Sequence, residues 1–350
     1  MEELTTLETI GCDLGDRKST VCVLGPDGRV RERTEVVTKK ASMTKFFTRP
    51  RAHVVIEVGA QSRWVSELLK ERGHELTIAN PRRVALIAQN DNKSDRTDAE
   101  LLARLGRSDR SLLSPMQHRS KEAQADLAVA KSRDALIGVR TQLINHVRSV
   151  VKSFGARLPS CESESFHKNT IELLPDELKP ALQPLYQVLT EVAHQIKKHD
   201  KSIEKMAKTY PDVAVLEQVY GVGILTAVTF ILTLGDKDRF ASSRMAGAYL
   251  GLRPRKSQSG NDDPQLRITK AGDPFLRRLL VNCANHILGP FGKDSDLRTW
   301  GLRLVERGGK NARKRAKVAV ARKLAVLLHR LWITGEVYEP VGYRAKRLAA

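Results

Sequence analysis

An aspartate inside one apolar run and a glutamate closing another constrain this chain more than any other feature. Asp13 sits in IGCDLGDRKSTVCVLG and Glu57 in HVVIEVGA. Both runs have the apolar, β-branched character of short buried strands, and a carboxylate inside or at the end of such a strand is held rigidly at a sheet edge. A second acidic pair, Asp95 and Asp98 in NKSDRTDAELLARL, is spaced three apart at the start of a helical pattern. Residues i and i+3 of a helix share a face, so both carboxylates project the same way. Four converging carboxylates repel one another unless divalent cations neutralise them. Hard oxygen donors favour Mg²⁺, and a metal pair can serve both sides of a phosphodiester.

Each acid has a plainer reading. Asp13 is also what a turn or strand end would carry, and Asp95 and Asp98 suit a helix N-cap and first turn. The order strand Asp, strand Glu, helix Asp-x-x-Asp is more specific than any one of them, and in outline it is the RuvC/ribonuclease H arrangement.

Lys and Arg number 60 against 40 Asp and Glu, a formal charge of +20, which is the electrostatic footprint of a nucleic-acid partner. The excess is densest in GGKNARKRAKVAVARKLAVLLHRLW, where Lys310, Arg313, Lys314, Arg315, Lys317, Arg322 and Lys323 occur with no acid between Arg307 and Gly335. A solvated helix face explains any one of these residues; backbone phosphate binding explains the group. The four cysteines, Cys12, Cys22, Cys161 and Cys283, form no CxxC pair, so the pattern predicts reduced thiols in place of a zinc site or disulfide framework. No signal peptide or membrane-length apolar run is evident, and the expectation is a soluble cytoplasmic protein.

The fold class predicted is α/β plus α, in three parts. Residues 1–115 read as α/β: strands over Ile10–Leu24 and Arg29–Thr38 joined by a Gly25–Gly28 hairpin turn, a strand at Val54–Val58, a helix at Ser62–Arg72 and a short strand at Leu76–Ala79. Residues 116–210 read as two long coiled-coil-like helices, Ser120–Val151 and Glu177–Lys208, around a polar linker or hairpin tip, LPSCESESFHKNT. Residues 211–350 are mostly helical, and VAVLEQVYGVGILTAVTFILTLGD has the pattern of a helix-hairpin-helix about Gly221-Val222-Gly223. Those glycines suit either a phosphate at a helix N-terminus or close helix packing. The following segment, FASSRMAGAYLGLRPRKSQSGNDDPQLRITKAGDPFLRRLL, places Arg253, Arg255, Lys256, Arg267, Lys270 and Arg277 around a Ser-Gly loop where they could surround a phosphate.

With Asp13, Glu57, Asp95 and Asp98 in order, followed by YGVGILTA, RFASSRMAGAYLGLRPR, SQSG, RITKAGDPFLRRLL and KVAVARKLAVLLHRLW, nearly the whole chain resembles the DEDD transposases of the IS110 insertion-sequence family. The resemblance implies a RuvC-like N-terminal domain, a distinct C-terminal transposase domain, and a DNA recombinase that excises and inserts its element. It also implies guidance by a noncoding bridge RNA and action as an oligomer, a dimer or tetramer. A nucleophilic serine in the C-terminal domain is implied as well; Ser259 of Ser259-Gly260 matches it, with Ser257, Ser242 and Ser243 as nearby competitors and Asn261 where the family pattern often has a second glycine. In that reading Mg²⁺ and the DEDD set serve the scissile phosphate while Ser259 forms a covalent intermediate. Two other readings are a RuvC-type metal nuclease using water as nucleophile and a noncatalytic nucleic-acid-binding protein.

Overall fold

In the computed structural model, residues 6–82, 84, 94–260, 262–264 and 266–342 are described. They divide into two units, 1–118 and 119–350.

The first unit is built on a five-stranded sheet of order β3-β2-β1-β4-β5, with β1 at Thr9–Asp13, β2 at Lys18–Leu24, β3 at Val30–Val37, β4 at His53–Glu57 and β5 at Glu75–Ala79. The strands β1, β2 and β3 form an antiparallel meander, whereas β4 and β5 run parallel to β1. The run expected as one strand from Ile10 to Leu24 is therefore two. It breaks at Leu14–Arg17, where a Cβ on Gly15 would collide with the Lys18 carbonyl, so only glycine fits the turn. The Gly25–Gly28 turn forms as expected, with Gly28 N–H donating to Gly25 O at 2.8 Å and Gly28 at φ +77°.

Helices cover both faces. One face buries Ile10, Cys12, Val54 and Ile56 against Met43 and Phe47, from and just after α1 (Lys40–Phe46), and against Val65, Leu68 and Leu69 of α2 (Ser62–Glu71). The other face receives α3 (Asp95–Ser108) on an unusually close seam. A side chain on Gly11 would overlap the backbone of Ala99 and Ala103, and one on Gly106 would overlap Val55. Small residues let the helix backbone rest directly on the strands. The exposed edge strand β3 alternates Arg31, Arg33 and Glu35 outward, which discourages edge pairing.

The second unit begins with α4 (Lys121–Ser153), capped by Ser120, which packs antiparallel on α6 (Lys179–Ala207). The polar tip between them is not featureless. Phe166, opening α5 (Phe166–Thr170), and Leu158 close a core of Ile144, Val147, Leu182, Tyr186 and Leu189, and Tyr186 Oη hydrogen-bonds Thr170 Oγ1 at 2.7 Å. At the other end Leu127 and Met206 join the core of the remaining helices: α7 (Asp212–Glu217), α8 (Ile224–Leu234), α9 (Ser243–Tyr249), α10 (Pro274–Ile287), α11 (Asp296–Glu306) and α12 (Ala312–Thr334). The sequence of α8 is apolar on all sides, and Thr226 through Leu234 are buried. Among the described residues no helix is long and apolar enough to cross a membrane. The α7–α8 pair has the expected connection, in which Gly221 takes φ +91° and abuts Ile287 and His286, so close packing accounts for that glycine.

Candidate active site and nucleic-acid interface

β1 and β4 share one burial pattern: four buried residues, then a half-buried acid. Their parallel register pairs Gly11 with Val55 and Cys12 with Ile56. One further step places Asp13 beside Glu57 on neighbouring strands, about 4.8 Å apart in backbone spacing. The direction of α3 brings the other pair to the same end of the sheet. Ala99 lies over Gly11, and Arg107 near the helix C-terminus donates to Pro26 O in the turn after β2, at the end of β1 away from Asp13, so the helix runs back along the strands. Arg96 of its first turn lines a small cavity with Thr20, the β2 partner of Asp13. Asp95 is exposed and Asp98 half-buried, in a first turn capped by Ser94 Oγ accepting from Thr97 N–H at 3.2 Å.

All four acids thus belong to one edge of the first unit. Among the described residues, however, no three His, Cys, Asp or Glu side chains converge closely enough to hold a metal ion. The donor chemistry, four carboxylates at one sheet edge, is of the kind that fits a hard divalent cation. Cys12, immediately before Asp13, is no rival nucleophile: burial, with Asp13 adding to it, drives its thiol pKa far up.

In the second unit the basic segment folds into a ribbon that periodicity alone had not revealed. Arg255 N–H donates to Arg267 O at 2.9 Å, Thr269 N–H to Arg253 O at 2.9 Å and Lys270 N–H to Gly251 O at 3.0 Å. At its base Gly251, φ +70°, and Gly272 lie against the opposing backbone with no room for a side chain. The signal was present as alternating residues either side of the turn-forming cluster SQSGNDDP. At the tip Ser259 and Asp262 exchange backbone hydrogen bonds of 3.1 and 3.0 Å, which makes Ser259 the first residue of a tight turn with Gly260 at φ +56°. Asn261 and Gln265 lie outside the described residues.

Residues 253–260 are exposed throughout. Arg253, Arg255, Lys256, Arg267 and Lys270 share this ribbon with Ser259, and the first four make no ion pair among the described residues. Arg277 also supports the ribbon. It donates to Leu250 O at 3.1 Å and Gly272 O at 3.4 Å, bracing the ribbon's base. The hydroxyl of Ser259 has no hydrogen-bond partner among the described residues. Of the competitors, Ser243 does have one: its Oγ lies 3.1 Å from His329 Nδ1, while His329 Nε2 donates to Lys237 O at 3.1 Å. That tautomer makes Nδ1 an acceptor, although His329 is fully buried and Ser243 only half-exposed.

The acid-free helix α12 and the turn before it divide their cations by role. Lys310, Arg313, Lys314 and Arg315 are exposed and unpaired among the described residues, and Lys317 is half-buried. Arg322 packs against Gly247, and Lys323 Nζ sits 3.7 Å from the Trp300 ring centroid. Cations in a helix's first turn oppose its macrodipole, so Arg313, Lys314 and Arg315 are there at the helix's expense.

Two family models match the chain: a transposase model of the DEDD, IS110 type over residues 10–155, and the transposase IS116/IS110/IS902 family over residues 213–295. The first spans all four acids and the second spans the ribbon with Ser259. Similar proteins run the length of the chain. The transposase for insertion sequence element IS1111A of Coxiella burnetii is 27% identical over 95% of this chain and 91% of its own. A probable family 20 transposase of Pseudomonas aeruginosa is 27% identical over 95% and 99%. A putative transposase of Sinorhizobium fredii, y4pF/y4sB, is 30% identical over 87% and 79%. On these matches the chain belongs to the IS116/IS110/IS902 family of insertion-sequence DNA transposases.

Proposed function

We propose that this transposase cuts and rejoins DNA through a RuvC/ribonuclease H-like acidic edge in its first unit and Ser259 as nucleophile in its second, with guidance by a noncoding RNA and action as an oligomer. The observation that carries the reading is the edge itself: Asp13 and Glu57 end adjacent parallel strands, and the Gly11–Ala99 seam draws the Asp95–Asp98 turn to the same place. The strand order, an antiparallel meander continued by two parallel strands, supports the RuvC-like assignment. RNA guidance and oligomeric action rest on the family resemblance.

Asp13, Glu57, Asp95 and Asp98 would hold Mg²⁺, which when bound supplies electrophilic stabilisation of a scissile phosphate. The chain's own residues do the rest. Ser259 Oγ bonds to phosphorus as the bond to the departing 3′-oxygen breaks, and the serine proton passes by way of solvent to that oxygen. The product is a 5′-phosphoserine. A free 3′-hydroxyl of the exchanging strand then attacks the same phosphorus, restores Ser259 and joins new partners. Arg253, Arg255, Lys256 and Arg267, on the same ribbon as Ser259, offset charge that develops on the phosphate. Lys310, Arg313, Lys314, Arg315 and Lys317 bind the nucleic-acid backbone.

Denatured reaction mixtures should contain DNA attached to protein, with the adduct mapping to the SQSG peptide, and Ser259→Ala should lose adduct and strand exchange together. Cleavage by the unaltered protein without any adduct would instead mean water as nucleophile. An adduct retained in Ser259→Ala and mapping to Ser243 would move the nucleophile to the hydroxyl that His329 contacts.

A further inference from the structure

A cavity of about 300 Å³ lies between the β3–α1 corner and α2, walled by Lys39, Lys40, Gln61, Trp64, Leu68 and Glu71, and the chemistry above uses none of these residues. Its aromatic wall is held in place. Trp64 Nε1–H donates to Gln61 Oε1 at 2.6 Å, and Gln61 Nε2 donates in turn to Asp16 Oδ1 at 3.4 Å. Asp16 belongs to the β1–β2 turn that follows Asp13, so the indole is tied by two hydrogen bonds to the acidic edge. Leu68, 3% exposed, closes the floor against the sheet core. Lys39 and Lys40 are exposed and have no ion pair among the described residues. Glu67, which also lines the cavity, is engaged by Arg63 at 2.7 Å, whereas Glu71 makes no ion pair among the described residues.

A flat ring fixed in orientation, two unneutralised ammonium groups and one free carboxylate form a specific set of recognition elements. The ring offers a stacking face, worth about 1–3 kcal/mol per base in single-strand binding. The lysines suit a phosphate, and the carboxylate accepts from an exocyclic amine. The volume is at the small end of ligand sites and suits one nucleotide. A base within a duplex has both faces covered by its neighbours, so the occupant must be unpaired. We propose that this cavity receives one unpaired nucleotide of the strand being processed, its base on Trp64 and its phosphate on Lys39 and Lys40, and so sets where that strand lies relative to Asp13. The proposal rests on the reading that the first unit acts on nucleic acid.

The test is photocrosslinking of the full chain to a single-stranded oligonucleotide carrying 5-iodouracil, with adducts mapped by mass spectrometry. The expected result is an adduct at Trp64 that a duplex of the same sequence does not give. Lys39→Ala/Lys40→Ala, two exposed changes that leave the core intact, should lower its yield on the order of tenfold, as removal of two phosphate-binding cations implies. Adducts on the second unit should be unchanged. Trp64→Phe should keep binding while moving or abolishing the adduct. Adducts confined to the second unit, or a Trp64 yield indifferent to the lysines, would overturn the pocket and leave the nucleic-acid reading standing. Equal competition by free thymidine monophosphate at matched nucleotide concentration would overturn it in favour of a mononucleotide site. Failure of the chain to retain any oligonucleotide at low salt would overturn both readings.

Discussion

The two units hold the residues proposed for chemistry in opposite ways. In the first, Asp13 and Glu57 are the end residues of strands that are otherwise buried, and a helix backbone rests on the strand beside them with only Gly11 to admit it. In the second, Ser259 and its basic neighbours stand on a solvent-exposed ribbon, and among the described residues nothing packs where a side chain on Gly260 would lie. Asp13 and Glu57 stand at the ends of buried strands; Ser259 stands on an exposed turn. The difference suits a division of labour in which a charged centre needs fixed ligands, while a nucleophile that must reach a backbone phosphate needs access.

The sharpest way to break this comparison is at the acids. Asp13→Asn, or Asp98→Asn, should lower strand cleavage by roughly a thousandfold, the scale of several kcal/mol of transition-state charge stabilisation. Retention of nucleic acid on a filter should persist, because neither change removes a cation. Undiminished cleavage by either variant would remove that residue from the site.

The same substitution at two glycines tests the contrast in rigidity. Gly11→Ala forces a methyl into the Ala99 and Ala103 backbone and should destabilise the first unit by about 1–3 kcal/mol, the usual range for overpacking. Cleavage should fall with it, since α3 carries Asp95 and Asp98. Gly260→Ala meets nothing within 4 Å and carries only the cost of φ +56°, about 1–2 kcal/mol and confined to the turn. Hydrogen exchange should therefore quicken across β1 and α3 in Gly11→Ala and stay local in Gly260→Ala. Equal, global loosening in both would mean that the ribbon is as tightly built into its unit as the seam is into the first.

How much of this was legible in sequence follows the range of the interactions involved. The acids in strands, the Gly25–Gly28 turn and the long helices depend on neighbours a few residues away, and they stand close to where the pattern put them. The Leu14–Arg17 break was signalled by Gly15, Asp16 and Arg17, but the single strand expected from Ile10 to Leu24 runs through them, because the apolar residues on either side read as one pattern. The closeness of α3 to β1 depends on Gly11 meeting Ala99, too far along the chain for any local pattern to register. The carbonyl contacts of Arg277 were hidden for the same reason, since Leu250 lies 27 residues away along the chain.

Acidification should sharpen the comparison further. His53 is buried in β4, its Nε2 2.8 Å from Thr77 Oγ1, and burial, with Arg110 adding to it, lowers its pKa from 6.5 to about 4. A base whose folded pKa is depressed takes up its proton on unfolding, so its contribution to stability is complete above pH 6.5 and is lost as pH falls from there toward 4. The slope is at most about 1.4 kcal/mol per pH unit. His329 of the second unit is depressed in the same direction by burial, with the Lys237 carbonyl and Asp238 working against it. His53→Asn should flatten the pH dependence of the first unit's urea midpoint and leave the second unit's unchanged. A first unit whose midpoint is flat between pH 6.5 and 4 before any substitution would contradict the buried neutral imidazole.

The gentlest change is at the surface. Replacing Arg313, Lys314 and Arg315 together by Ala removes three exposed cations that make no ion pair among the described residues. Folding stability should move by no more than about 0.5 kcal/mol, and upward, because the first turn of α12 loses charges that oppose its dipole. Nucleic-acid affinity should nevertheless fall, and the slope of log affinity against log salt should become shallower by up to about 0.9 for each duplex-DNA phosphate that is no longer neutralised. The two readouts separate a surface kept for binding from one kept for folding: higher stability together with weaker affinity means that the protein tolerates an unfavourable helix start for the sake of its partner. An unchanged salt slope would place phosphate binding on the ribbon of Arg253, Arg255, Lys256 and Arg267, and would make the presented serine and the backbone clamp one and the same element.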